Sequence, residues 1–424
     1  MSGEEKGGAE PSAPLLTMKL VPPVLTSRWL PRPEVVDCLA GADAQVLLIT
    51  APAGWGKTSL LAAWLDAEQG RRPAAYLQLE EGDDTGPVFW SYVVAALRRA
   101  CPELALGAEA ALRSPGVDPM RDVVPSLLNE LAEVDEPLLL VLDDYHVISR
   151  EDIHRSVGYV IDHLPPGVQL AIATRADSRL PLGRLRASGN LVELRAHDLA
   201  FSSMETAELL RRRFAVDLDD GDIELLRRRT EGWPAAVQLA GMSLQDTVDP
   251  TEFGARFAGD DRNVADFLIG EVLEKVSDRD REFLLRTSVL DQMTGPLCDE
   301  VAGVTDGAAI LDRMERSGLF LIPLDNTRRW YRYHRLFGDW LRHGLRRTDP
   351  ALIPTLHLAA ARWYAEAGSL EPAVDHAINA ADYPLAARLI DRYLQDWTAA
   401  HWSLVWQWFQ ELPDDAIRAF PMTA

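Results

Sequence analysis

Residues 51–58 read Ala-Pro-Ala-Gly-Trp-Gly-Lys-Thr, and no other stretch constrains the chain so tightly. The octapeptide follows Val46-Leu47-Leu48-Ile49-Thr50, an apolar run with the length of a buried strand, and opens Ser59 to Glu68, which has helical spacing. A strand, a small-residue turn ending in Gly-Lys-Thr and a helix form the phosphate-binding pattern GxxxxGK[ST], with Ala51 in place of the first glycine. Small residues let successive backbone N–H groups wrap a phosphate at the positive end of a helix. Ala53, Gly54, Trp55 and Gly56 would supply that wrap, and Ser59 would sit in the helix's first turn. Lys57 would balance the β/γ charge and Thr58 would offer its hydroxyl to Mg²⁺.

The residues around this loop repeat the alternation. Ala74 to Leu79, Leu138 to Leu142, Leu170 to Thr174 and Leu191 to Leu194 read as strands. Val88 to Arg99, Val123 to Val134 and Ile153 to His163 read as helices between them. Continuous apolar strands alternating with amphipathic helices predict an α/β domain with a parallel sheet covered on both faces. Its boundaries are set at residues 21–200, after a tail at 1–20 that is Gly, Glu, Ser and Pro-rich and is expected to be disordered. Arg28, Leu30 and Arg32, in the proline-punctuated stretch that follows, would either reach a ligand or tether the tail.

Further candidates lie at the carboxyl ends of these strands, where open α/β sheets bind ligands. The strand Leu138–Leu142 runs into Asp143-Asp144. Asp143 would hold Mg²⁺ through water and Asp144 would orient or deprotonate an attacking water, or both are turn aspartates. Arg175, just past the next strand, would contact a γ-phosphate and report its presence, or lie on the surface.

Past Phe201 the strand signal nearly vanishes. Helical patterns at Met204–Phe214, Ile223–Thr230 and Ala235–Leu244 define a helical domain at 201–275, interrupted by Gly232-Trp233-Pro234. Pro234 would lie on an adenine face, or the tripeptide is a helix-breaking turn. Helices at Val264–Lys275 and Asp278–Ser288, with a hairpin around Asp325-Asn326, predict a winged helix at 276–350. His334, just after the hairpin, would donate to a phosphate or be structural. Seven arginines and one acid, Asp339, lie between Arg328 and Arg347. They would face the nucleotide domain or its phosphates, or form a nucleic-acid patch. Residues 351–424 read as a TPR-like helical repeat that stops after about one and a half units, so the chain is expected to be a fragment or a truncated product.

Charge and cysteine usage narrow the partners. The formal net charge is −22, which argues against coating nucleic acid or an anionic membrane over the whole surface. The three cysteines have no metal-ligand spacing, and no apolar run approaches membrane-spanning length. A cytoplasmic protein without membrane contact is expected.

The set APAGWGKTSL, LLLVLDDYH, AIATR, LAFSSMETAELL, TEGWPAAVQLA and RRWYRYHRLFGDWLR resembles the MalT-like, large LuxR-type ATP-dependent transcriptional regulators, within the STAND class of P-loop ATPases. The likeness runs from about Leu20 to the end of the sequence. It implies a switch that is a closed monomer with ADP and an oligomer with ATP, reset by slow hydrolysis. By the same resemblance Lys57 and Thr58 bind phosphate and Mg²⁺, Asp143 and Asp144 serve Mg²⁺ and hydrolysis, and Arg175 senses the γ-phosphate. Pro234 would touch adenine and His334 the β-phosphate of ADP. An inducer, small molecule or protein, would bind the helical repeats. DNA would be bound only through a C-terminal helix-turn-helix that this chain does not contain. The alternatives are a truncated nucleotide-binding or dominant-negative subunit without DNA output, and a P-loop kinase acting on a small molecule.

Overall fold

The computed structural model describes residues 15–25, 29–177, 179–245, 253, 257–273, 276–395 and 402–413. They divide into two compact units, one of residues 1–218 with 232–241 and one of residues 219–231 with 242–424.

The first unit is built on five parallel strands: β1 (Val46–Thr50), β2 (Ala74–Gln78), β3 (Leu138–Asp143), β4 (Val168–Thr174) and β5 (Leu191–Arg195). Their order is β2-β3-β4-β1-β5. Every residue of β1, β3 and β4 is buried, on both faces of the sheet, which is why these strands read as nearly unbroken apolar runs. The edge strand β5 is only half-buried, and its Glu193 is free to pair with Arg186. Helices α1 (Pro33–Ala40), α2 (Lys57–Glu68), α3 (Gly86–Ala100), α4 (Leu106–Leu112), α5 (Val124–Ala132), α6 (Glu151–Asp162), α7 (Gly183–Ser188), α8 (Ala196–Leu199) and α9 (Ser203–Phe214) connect and follow the strands. The start of α9 is fixed by a capping box, in which the Ser202 hydroxyl and the Glu205 carboxylate satisfy each other's backbone N–H groups.

One local expectation changes. Thr17–Leu20 form a helical turn rather than disordered tail, with Lys19 buried and donating to both Asp83 oxygens at 2.8 and 2.9 Å. The partner lies far along the chain, beyond the reach of local composition. Residues 1–14 lie outside the described residues, as does Arg28. Arg32 tethers: its guanidinium donates to the carbonyls of Leu199 and Ala200 and to Glu205.

Beyond α9 come α10 (Asp220–Thr230) in the second unit and α11 (Pro234–Gln245), whose first turns belong to the first unit. The segment expected as one helical domain therefore contributes to both units. The second unit continues with α12 (Arg262–Leu268), α13 (Asp278–Thr287), α14 (Gly295–Ala302) and α15 (Gly307–Arg316). The hairpin of β6 (Leu321–Pro323) and β7 (Tyr331–Tyr333) and helix α16 (Arg335–Thr348) complete a winged helix. Sequence reading missed α14 and α15, which are short and open on glycines. Four helices follow: α17 (Ile353–Glu366), α18 (Leu370–Asn379), α19 (Tyr383–Gln395) and α20 (Trp402–Glu411). Trp408 is fully buried there and donates to Asp375, which fits a tryptophan that fills a helix seam. No described helix is long and apolar enough to cross a membrane.

Candidate functional site

The loop between β1 and α2 has the backbone its sequence demands. Gly54 and Gly56 have φ of +75° and +78°, a region costly for other residues. Gly56 caps α2, a helix of 12 residues whose free N–H groups and dipole end in the loop. Lys57 is buried, and its ammonium donates to the carbonyls of Ala51 at 2.7 Å and Pro52 at 3.0 Å. The lysine's charge therefore stays inside the loop that would hold a phosphate.

Sheet order brings the acidic pair to this loop. Strand β4 lies between β1 and β3, so the loop and Asp143 are two strand spacings apart, about 10 Å. The Thr58 hydroxyl, in the first turn of α2, acts on the Asp143 carboxyl and favours its charged form. Asp143 is fully buried, and burial together with the neighbouring Asp144 charge pushes its carboxyl above the usual range. Hydrogen bonds from Thr58, Tyr76 and the Asp144 backbone partly offset this. Asp144 takes a left-handed φ of +57°, is half-buried, and accepts a long 3.4 Å hydrogen bond from Gln78. Arg175 is half-buried one residue beyond β4, at the strand end between the loop and the acidic pair.

The donor set fits magnesium. A hydroxyl beside a buried carboxylate is a pair of hard oxygen ligands, and a cation would relieve the charge that burial makes costly. Among the described residues no group of three or more His, Cys, Asp or Glu could hold a metal ion alone. A magnesium ion here would need phosphate oxygens and water to complete its shell.

Next to the loop is a cavity of 290 Å³ lined by Trp29, Gly56, Ser59, Phe201, Pro234 and Gln238, among others. It is largely apolar, as a pocket for a flat ring must be. Pro234 is thus brought to the loop's other side. Two neighbours hold it there. Trp233, fully buried, donates from Nε1 to the Ala53 carbonyl at 3.1 Å, and Ala235 N–H donates to the Gly54 carbonyl at 3.1 Å. Sequence reading singled out the proline of this tripeptide and passed over the tryptophan, as it passed over Tyr76 and Gln78 on β2. A signal was available for Gln78 alone: a polar residue at the carboxyl end of an apolar strand has few uses besides a site.

His334 lies in the second unit, 1% exposed, with Nε2 hydrogen-bonded to the Thr230 carbonyl at 3.2 Å. Burial lowers its pKa and so favours the neutral ring. Beside it Glu231 binds both terminal nitrogens of Arg332 at 2.7 Å and accepts from the Arg335 N–H. Other arginines of the basic run are also paired within this unit, Arg328 with Glu315 and Arg342 with Asp339.

A parallel sheet with a Gly-Lys-Thr loop at one strand end and an aspartate two strands away is a P-loop NTPase fold. Comparison with solved structures agrees: a Walker-type ATPase of Pyrococcus abyssi superposes with a TM-score of 0.51 over 74% of this chain and 96% of that one, at 16% identity. Residues 269–353 match the family described as the MalT winged helix domain. Curated relatives include the HTH-type transcriptional regulator MalT of Klebsiella pneumoniae, 33% identical over 87% of this chain. The serine/threonine-protein kinase PknK of Mycobacterium tuberculosis is 34% identical over 92% of it. The chain is therefore MalT-like. It spans 41% of that MalT and 35% of that PknK.

Proposed function

We propose that this chain is the nucleotide-operated switch of a MalT-like regulatory protein, alternating between ADP and ATP with hydrolysis as a slow reset. The observation that carries the reading is the sheet order, which sets the Gly-Lys-Thr loop after β1 and the fully buried Asp143 after β3 at the same edge of strand ends. Lys57 and the loop N–H groups would bind phosphate, Thr58 and Asp143 would hold magnesium, and Pro234 would cover the adenine. Magnesium, when bound, would neutralise phosphate charge. Asp144 would orient or deprotonate the attacking water, and Arg175 would distinguish a triphosphate from a diphosphate. The contact of His334 with ADP that the resemblance implies belongs to the same proposal.

The relatives favour a switch over a metabolic kinase. Nearly the whole chain aligns both with a protein named a kinase and with one named a transcriptional regulator. What two proteins with different outputs share is better suited to control than to output. Self-association in the ATP state, an inducer bound to helices α17 to α20, and DNA contact through a helix-turn-helix outside this chain are parts of this reading. So is its alternative, a nucleotide-binding partner subunit without DNA output.

The test is to denature the purified chain and identify the released nucleotide by ion exchange, then to measure mass by light scattering with Mg-ADP and with a non-hydrolysable ATP analogue. Stoichiometric ADP, and a larger assembly only with the analogue, is the expected result. Absence of any nucleotide affinity would overturn the reading. Rapid turnover that depends on an added small acceptor would replace it with the kinase.

A further inference from the structure

The phosphate loop does not hold its shape alone. Its Gly54 lies against the start of α11: a Cβ built there would come within 2.6 Å of the Ala235 Cβ and 2.8 Å of the Trp233 Nε1. Two hydrogen bonds cross this contact, from Trp233 Nε1 to the Ala53 carbonyl and from Ala235 N–H to the Gly54 carbonyl, both at 3.1 Å. The residue before them is pinned in turn. Gly232, at a φ of +70°, accepts a 2.7 Å hydrogen bond from the Phe201 N–H, and a Cβ on it would sit 2.6 Å from the Phe201 carbonyl oxygen.

These contacts fix carbonyls, and that is their use. A loop that binds phosphate must turn its N–H groups inward, so the carbonyls that Lys57 does not take, those of Ala53 and Gly54, must find donors elsewhere. A carbonyl of the loop without an outside donor would compete with phosphate oxygens for the loop's own amides and for Lys57. The indole of Trp233 is a donor that cannot accept, so it holds the Ala53 peptide in one orientation only. An aromatic side chain without that N–H would fill the space and leave the peptide free to flip.

We infer that Trp233 is a positioning residue for phosphate recognition: its indole N–H fixes the Ala53 peptide so that the loop's amides face the β-phosphate. The inference rests on the nucleotide site proposed above and adds a residue to it. Trp233 acts on the part of the ligand that distinguishes ADP from AMP, whereas Pro234, one residue on, lines the pocket for the base.

The test compares ADP and AMP binding, by calorimetry with Mg²⁺, in the full chain and in Trp233→Phe. Loss of one buried hydrogen bond should lower the ratio of ADP to AMP affinity by about tenfold while AMP affinity stays within about twofold. Equal weakening of both nucleotides would mean a packing role alone, and an unchanged ratio would mean no role; either overturns the inference. If Trp233→Phe folds poorly, Ala235→Pro removes the second hydrogen bond, from the Ala235 N–H, and the same drop in ratio is expected. Lys57→Ala is the control: wild-type protein that binds ADP no better than this variant would remove the nucleotide site itself, a failure distinct from that of Trp233.

Discussion

The pentapeptide Thr230-Glu231-Gly232-Trp233-Pro234 is held at its two ends by different means. Gly232 to Pro234 belong to the first unit and are fixed by backbone carbonyls and close packing: Gly232 on Phe201, Trp233 on Ala53. Thr230 and Glu231 belong to the second unit and are fixed by charge and a buried imidazole: His334 on the Thr230 carbonyl, Arg332 on the Glu231 carboxylate. Steric fit at one end is insensitive to pH and salt, whereas an ion pair and a neutral histidine at the other are not. One peptide bond thus joins a part of the chain tied to the phosphate loop to a part tied to the winged helix.

The largest break in this comparison is expected from Gly232→Ala. The new Cβ meets the Phe201 backbone at 2.6 Å, and the φ of +70° is strained for any residue with a side chain. A loss of about 3 kcal/mol in the first unit's stability is expected. Hydrogen exchange should place it on the amides of β1 and the start of α9, with α13 to α16 unchanged. Equal protection loss in both groups would show that the two ends of the pentapeptide are not held independently.

How much of this arrangement the sequence disclosed follows from the range of each interaction. The loop, its strand and its helix are consecutive, so their chemistry is visible in one window. Asp143 was legible because a buried apolar strand ending in carboxylates is unusual. Trp233 was not: its partner Ala53 lies 180 residues away, and an indole N–H aimed at a carbonyl leaves no mark in composition or periodicity. Tyr76 escaped for the same reason, as an ordinary strand residue until its hydroxyl is seen on Asp143. Lys19, read as part of a disordered tail, is buried against Asp83 for reasons equally remote in sequence. His334 was read as a phosphate donor or a structural residue, and its Nε2 is hydrogen-bonded to the Thr230 carbonyl, a partner 104 residues away.

Acid should act on the charged end alone. Burial holds the His334 pKa below its usual 6.5, with Arg332 adding to the shift and Glu231, Asp339 and the Thr230 carbonyl opposing it. The sign follows: the unfolded chain takes up a proton below 6.5 that the folded unit resists. Stability is therefore constant above that pH and falls as pH drops toward the folded pKa, by at most about 1.4 kcal/mol per unit for this residue. His334→Gln, which retains a donor for Thr230, should flatten the pH dependence of hydrogen exchange in α10 and α16. If wild type and variant show the same slope between pH 7 and 5, the histidine is not the acid-sensitive element at this end.

The smallest effect separates two reasons for the residue at 231. Glu231 sits at a φ of +51°, where asparagine is more at ease than glutamate. Its carboxylate nevertheless reaches both terminal nitrogens of Arg332, and against burial this pairing, with the hydrogen bond from the Arg335 N–H, holds its pKa below the usual carboxylate range. The pair is partly solvent-exposed, with side chains 34% and 21% accessible, so its worth is set near 1 kcal/mol rather than at the value of a buried pair. Glu231→Asn keeps the backbone conformation and removes the charge and the reach. If the ion pair is what selects the residue, the variant loses about 1 kcal/mol in low salt and less in 1 M salt. If the conformation is what selects it, the variant is as stable as wild type or more so, at either salt concentration. The winged-helix end would then be held by shape, as the phosphate-loop end is, and the contrast between the two would reduce to the histidine.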